Sequence, residues 1–202
     1  MTRFCDETDF GFGWIASEKP RLQLASHALA DEGKVWLVDP TLAPLERVRE
    51  LGEPAGVIQL LDRHSRACAE VAALLGVSHH VVPRQPIAGA PFEFTTIVDR
   101  RGWRETALWW PQRRVLVAAD ALGTVDGYFR VEPERLGVHP LLRLTPPREL
   151  RRHDPAHVLV GHGEGVHDGA AEALETALDR PWRRIPRLLI GLPRAGLAKP
   201  RA

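Results

Sequence analysis

Apolar runs along this chain are short and punctuated by glycine, proline and aspartate, the pattern of buried strands interleaved with brief helices. Gly11–Ala16 and Arg21–Leu29 have strand-like content, and an Asp31-Glu32-Gly33 turn separates them from Lys34-Val-Trp-Leu-Val-Asp39-Pro40. That run is β-branched and aromatic and is stopped by proline, which predicts a strand ending in a loop. Leu42, Leu45, Val48 and Leu51 fall at helical spacing before Gly52, and predict a helix. Gly56–Leu61 reads as a buried strand and leads into the polar segment Asp62–Arg66. A helix over Ala67–Leu75, closed by Gly76, and a short strand over Val77–Val82 follow.

The second half continues in the same style. Phe92–Val98 alternates weakly, Arg100–Arg104 is a charged turn, and Glu105–Trp110 is a strand ended by Pro111. Trp109 and Trp110 point to opposite faces of that strand, one into the core and one beneath a helix. Val115–Ala119 is another strand, with Asp120 just beyond it. Residues 121–147 carry much Gly and Pro and little periodicity, so a long ordered loop with short helical turns is expected. His157–Val160 is a strand, Gly161-His162-Gly163 a tight turn, and Gly169–Leu178 a helix with Asp168 as its cap. Polar residues thus collect just past strand ends, where layered α/β folds hold their ligands: Asp39, Asp62–Arg66, Asp120 and His162.

Composition narrows the classes. At 202 residues, 44% hydrophobic and 26% charged, the chain has globular content and room for one core. Residues 1–180 are read as one domain and 181–202 as a basic C-terminal tail. A net charge of +1 gives no global electrostatic reason to bind nucleic acid. All but three of the basic residues are arginine, which with abundant Ala, Gly and Pro suggests GC-rich bacterial coding. The polar start lacks a signal-peptide pattern, and no apolar run has the ~18–20 residues of a transmembrane helix, so a cytoplasmic protein without membrane contact is expected. Cys5 and Cys68 read as buried small hydrophobes, not a disulfide framework.

The order of these elements resembles the metallo-β-lactamase superfamily over roughly residues 10–180. Trp36-Leu-Val-Asp39-Pro40 is similar to its early strand ending in aspartate. Val115-Leu-Val-Ala-Ala-Asp120 resembles its aspartate-bearing strand end, and Val158-Leu-Val-Gly-His162-Gly163 its last metal histidine. The resemblance implies a four-layer αββα sandwich of the α/β (α+β) class, with a metal site at one edge where two ions activate water for hydrolysis.

Against that pattern the ligand set is incomplete. The family's His-x-His-x-Asp-His signature aligns with Asp62-Arg63-His64-Ser65-Arg66-Ala67, which keeps only the second histidine, as His64. Asp62 is a substitute able to ligate, Arg66 replaces the aspartate, and Ala67 replaces the third histidine. The family's middle histidine falls at or near Arg101 in Asp99-Arg100-Arg101-Gly102-Trp103. A guanidinium stays protonated and does not ligate metals. At 4 Å and an effective dielectric near 20, it opposes a dication by about 8 kcal/mol.

The expectation is therefore a metallo-β-lactamase-like protein that has lost the dinuclear centre and hydrolase activity. It would hold no cofactor and would bind a small anionic molecule or a protein partner, with Arg66 and Arg101 as the cationic groups. The alternative is a single zinc, manganese or iron ion on Asp62, His64, Asp120 and His162, hydrolysing an ester, thioester or phosphodiester. A homodimer with a structural role is a third reading, carried by the apolar and basic C-terminus.

Overall fold

Alternation along the strands builds two sheets, each with a covered outer face. The computed structural model describes residues 2–16, 22–42, 44–64 and 66–184. The first sheet has six strands in the order β1 (Thr2–Thr8), β2 (Gly11–Ala16), β3 (Leu24–Asp31), β4 (Lys34–Val38), β5 (Glu53–Gln59) and β6 (Ser78–Val81). Its first four strands form an antiparallel meander, and β4, β5 and β6 run parallel. The parallel strands need crossovers, supplied by α1 (Leu45–Leu51) and α2 (Cys68–Leu75). The second sheet comprises β7 (Glu93–Arg100), β8 (Trp103–Trp110), β9 (Val115–Ala118) and β12 (His157–Val160), in the order β12-β9-β8-β7. Here β7, β8 and β9 are antiparallel and β12 is parallel to β9. Within the loop expected over 121–147, β10 (Leu122–Gly123) pairs with β11 (Gly137–Val138).

Period-two patterning sorts side chains between two cores. From β4, Val35 and Leu37 face α1 and α2, joining Phe12, Trp14, Val57, Val48, Cys68 and Val71. Trp36 and Val38 face the other way, joining Ile58, Leu108, Trp110, Leu116 and Val158 between the sheets. The third helix, α3 (Ala170–Leu178), adds Ala173, Leu174, Ala177 and Leu178 to that larger core. The layers are those of a mixed α/β sandwich. Among the described residues, no helix is long and apolar enough to cross a membrane.

One local expectation needs correction. Gly169, in the left-handed conformation, is the residue before α3, and no side chain caps that helix, so Asp168 is not its cap. Trp109 stacks on His153 at 4.5 Å, beside a short 3-10 turn at Arg148–Arg152, while Trp110 is fully buried. Of the tail read at 181–202, Pro181–Arg184 forms a 3-10 turn, and residues 185–202 lie outside the described residues.

Candidate metal centre

Strand register brings the site together. Ala118 of β9 lies opposite Val160 of β12 in parallel pairing, so Asp120 and His162, each two residues further on, leave the sheet side by side. Glycine on either side of His162 answers a steric demand. A Cβ on Gly161 would come within 2.6 Å of the Ala119 carbonyl oxygen. Gly163 has φ +95°, and a Cβ there would meet Thr124 Oγ1 at 2.1 Å. On the first sheet, β4 and β5 are parallel neighbours, so Asp39 follows one strand end while Leu60–His64 follows the other. Asp39 Oδ1 accepts the Leu60 N–H at 3.1 Å, tying the two strand ends together.

Three donors meet at one point. His64 Nε2 lies 2.7 Å from Asp120 Oδ1, and His162 Nε2 lies 2.8 Å from the same oxygen. Ligand atoms of the three residues fall within 4.8 Å of one another. Behind His162, Nδ1 faces the Leu22 carbonyl oxygen at 2.7 Å. Behind His64, Nδ1 is buried without a hydrogen bond, 3.8 Å from Asp39 Oδ2. Burial opposes ionisation of Asp120, but the hydrogen bonds from His162 and His64 outweigh it and hold the carboxyl far below the usual range. Burial and the Arg66 charge likewise oppose protonation of His64, and Asp120 and Asp39 together outweigh them and raise its pKa.

A buried carboxylate fixes the loop that carries Asp120. Glu105 Oε1 accepts the N–H groups of Asp120 at 3.0 Å and Ala121 at 2.9 Å, and Oε2 accepts Trp103 Nε1–H at 2.9 Å. Burial outweighs these donors and pushes the Glu105 carboxyl up to about 7. Arg63 packs its guanidinium 4.0 Å above the Trp103 ring and reaches Asp120 Oδ2 at 3.1 Å.

The residues singled out in the sequence therefore separate. His64, Asp120 and His162 converge. Asp62 turns away, accepting from Arg104 N at 3.0 Å and Arg104 Nε at 3.1 Å. Arg66 points inward, donating to the carbonyls of Ala25, Asp39 and Gly161. Arg101 is exposed in the turn between β7 and β8, and the inward residues of that hairpin are Trp103 and Glu105. Sequence reasoning passed over Arg63, Glu105, Tyr128 and His139. Trp103 and Glu105 carried a signal, since their spacing of two puts them on one face of a strand.

Comparison of the sequence with known family models and with curated proteins gave no match. Solved structures do resemble it. The DIM-1 metallo-β-lactamase aligns with a TM-score of 0.60 at 10% identity, over 87% of this chain and 96% of that one. The BLEG-1 B3 metallo-β-lactamase aligns at 0.55 and 13% identity, over 84% and 95%. A fragment assigned as diflavin flavoprotein A 5 from Nostoc sp. PCC 7120 aligns at 0.60 and 12% identity, over 92% and 97%. Over that share of both chains the likeness is one of fold: this chain has the metallo-β-lactamase fold.

Proposed function

We propose that the protein holds one divalent metal ion on His64, Asp120 and His162 and hydrolyses an ester, thioester or phosphodiester that carries an anionic group. The observation that carries this reading is the surroundings of His162. Its Nδ1 faces a carbonyl oxygen and its Nε2 a carboxylate oxygen, both acceptors only. The ring must carry two protons, or a metal ion must take the place of the proton on Nε2. His64 presents its Nε2 to the same carboxylate oxygen. Each imidazole also has an oxygen behind it, Leu22 O for His162 and Asp39 Oδ2 for His64, the outer-shell pattern that orients metal-binding histidines. The residues fit a single ion of the zinc, manganese or iron type. The names of DIM-1 and BLEG-1, each a metallo-β-lactamase, support a metal reading as well.

A bound divalent ion supplies Lewis acidity, acidifying water and polarising a scissile carbonyl or phosphoryl oxygen. Asp120 and the two histidines hold it. Glu105 keeps Asp120 in place through the backbone, and Arg63 is the cation able to receive the anionic part of a substrate by leaving Asp120 Oδ2. Arg66, with Nε shielded from solvent, supplies fixed positive charge near Asp39 and Asp120, which argues for one ion and against two.

The test is metal content by elemental mass spectrometry. Protein without a His-tag is equilibrated with zinc, manganese or iron and then desalted. Close to one ion per chain, lost in His162→Ala, together with chelator-sensitive ester or phosphodiester turnover, is the expected result. A value near zero rejects this reading. It would favour the second one, a non-catalytic anion-binding protein, which the Arg63 guanidinium beside Asp120 supports.

A further inference from the structure

The loop between β9 and β12 carries a tyrosine hydroxyl with its proton free to give, on the residue next to one that stacks on His162. Leu141 N–H donates to His139 Nδ1 at 3.2 Å. An amide nitrogen can only donate, so Nδ1 is the acceptor and the ring proton resides on Nε2. His139 Nε2 lies 3.2 Å from the Tyr128 hydroxyl oxygen, which therefore accepts from the imidazole and keeps its own proton for another partner. Burial pushes His139 down to about 4, so the ring is neutral at physiological pH and the tautomer is fixed.

Packing links the pair to the candidate ligands through Phe129 and Trp103. Phe129, next to Tyr128 in the chain, stacks on His162 with ring centroids 5.5 Å apart. Trp103, whose face carries Arg63, meets His139 edge-on at 4.8 Å. The loop is built tightly around Phe129. A Cβ on Gly123 would lie 2.5 Å from its ring, and one on Gly137 would lie 1.8 Å from its carbonyl oxygen. Arg143 donates to that same carbonyl at 2.5 Å. The charged groups facing the phenol besides His139 are Asp120 and Arg63; burial and Asp120 raise its pKa, and Arg63 opposes them.

Building on the hydrolase reading above, we propose that Tyr128 is the proton donor to the leaving group, with His139 as its positioning residue. Water adds to the carbonyl or phosphoryl centre, the bond to the leaving oxygen breaks, and that oxygen takes the phenolic proton. The resulting phenolate is held by His139 Nε2–H and the Arg63 charge. The proton shed by the attacking water returns to Tyr128, so one water is added across the bond and the enzyme is unchanged.

Tyr128 is the only tyrosine in the chain, so its ionisation can be read alone. The first measurement is an ultraviolet titration of metal-free protein near 295 nm, with circular dichroism confirming the fold at each pH. A donor on Nε2 stabilises the phenolate, so His139→Phe should raise the midpoint and His139→Gln, which can still donate, should raise it less. A fall or no change would mean the phenol donates to the imidazole, and would overturn the proposal. The second measurement is turnover of the 4-nitrophenyl and benzyl monoesters of succinate, each carrying a free carboxylate, by metal-loaded protein. Tyr128→Phe should slow the benzyl ester, whose leaving group needs a proton, by about 100-fold. It should leave the nitrophenyl ester within about threefold, since that leaving group departs unprotonated. Equal losses on both esters would overturn the role of Tyr128 alone. No turnover by the wild-type protein with any metal would overturn the hydrolase reading, and this proposal with it.

Discussion

Replacing Arg66 with alanine separates a structural cation from a ligand-binding one. Its guanidinium joins three chain segments, donating to Ala25 O on β3, to Asp39 O beyond β4 at 3.3 Å, and to Gly161 O beyond β12 at 2.8 Å. The Gly161 oxygen also accepts the Ala25 N–H at 2.9 Å and keeps that bond in the variant. The loss then falls on the carbonyls of Ala25 and Asp39, each costing about 1–3 kcal/mol when a charged donor is withdrawn in a shielded site. Arg66 as a whole is partly buried, so the lower half of that range applies, and a loss of about 3 kcal/mol in total is expected. With a urea dependence of about 2 kcal/mol per molar, the unfolding midpoint should fall by about 1.5 M. Equilibrium urea unfolding followed by tryptophan fluorescence reads this directly. A fall of less than about 0.3 M, accompanied by weakened binding of phosphate or carboxylate ligands, would refute the structural role and restore Arg66 to the anion site.

Other perturbations test the scaffold around the ligands. Glu105 is fully buried with its carboxyl raised to about 7, above the ordinary glutamate value, so the folded state holds this proton more tightly than the unfolded chain. Its contribution is fully present below about pH 4.5 and is lost as pH rises to about 7, a fall of about 3 kcal/mol. In Glu105→Gln that fall should vanish, although the variant starts less stable because its amide faces Trp103 Nε1–H; parallel urea curves at pH 4.5 and 7 would contradict the assignment only if both proteins show the same slope with pH. Gly161→Ala forces a methyl against Ala119 O and should move His162 off Asp120, abolishing metal retention while circular dichroism stays native. Retention at the wild-type level would show that the turn tolerates a side chain. Arg63→Ala should raise KM for anionic esters about tenfold and leave KM for neutral esters unchanged, and an equal rise in KM for both would remove Arg63 from substrate binding.

How much of this was legible in the sequence depends on which residues sit in regular structure. Asp39, Asp120 and His162 follow continuous apolar runs that could only be buried strands, so their places at strand ends were readable from period and punctuation. Their convergence is a consequence of parallel pairing between β9 and β12 and between β4 and β5, which a crossover connection makes natural. Arginine roles were not readable. In the run Arg63-His64-Ser65-Arg66 the pattern gives every side chain equal claim to solvent, yet Arg66 turns inward to backbone carbonyls while Arg63 lies over Trp103 at the site. A buried guanidinium is chosen by which carbonyls the folded loops leave unpaired, and those loops are remote in the chain. Tyr128 and His139 were hidden for another reason. Their loop has no periodicity, and its shape is imposed by close packing of Gly123 and Gly137 on Phe129. Motif alignment gave no sign that Arg101 stands exposed in the tight turn between β7 and β8, because a motif carries no information on which way a turn faces.

Charge balance supports the proposed single ion and argues against a second. His64 Nε2 and His162 Nε2 both face Asp120 Oδ1, at 2.7 and 2.8 Å, so a proton held between nitrogen and oxygen there occupies the place a metal ion would take. A dication held by His64, Asp120 and His162 would displace the protons they carry there, so part of its charge would be offset by what leaves. A second dication has no proton left to displace. It would add two charges to a region where Arg66 and Arg63 already stand, at a cost of about 8 kcal/mol for each guanidinium within about 4 Å. Metal uptake should therefore release protons and saturate at one ion per chain. Calorimetry in buffers of different ionisation enthalpy gives the proton count, and the same titration gives the stoichiometry. Two ions per chain would show that Arg66 does not guard the site, and binding without proton release would show that the histidines do not exchange protons for metal.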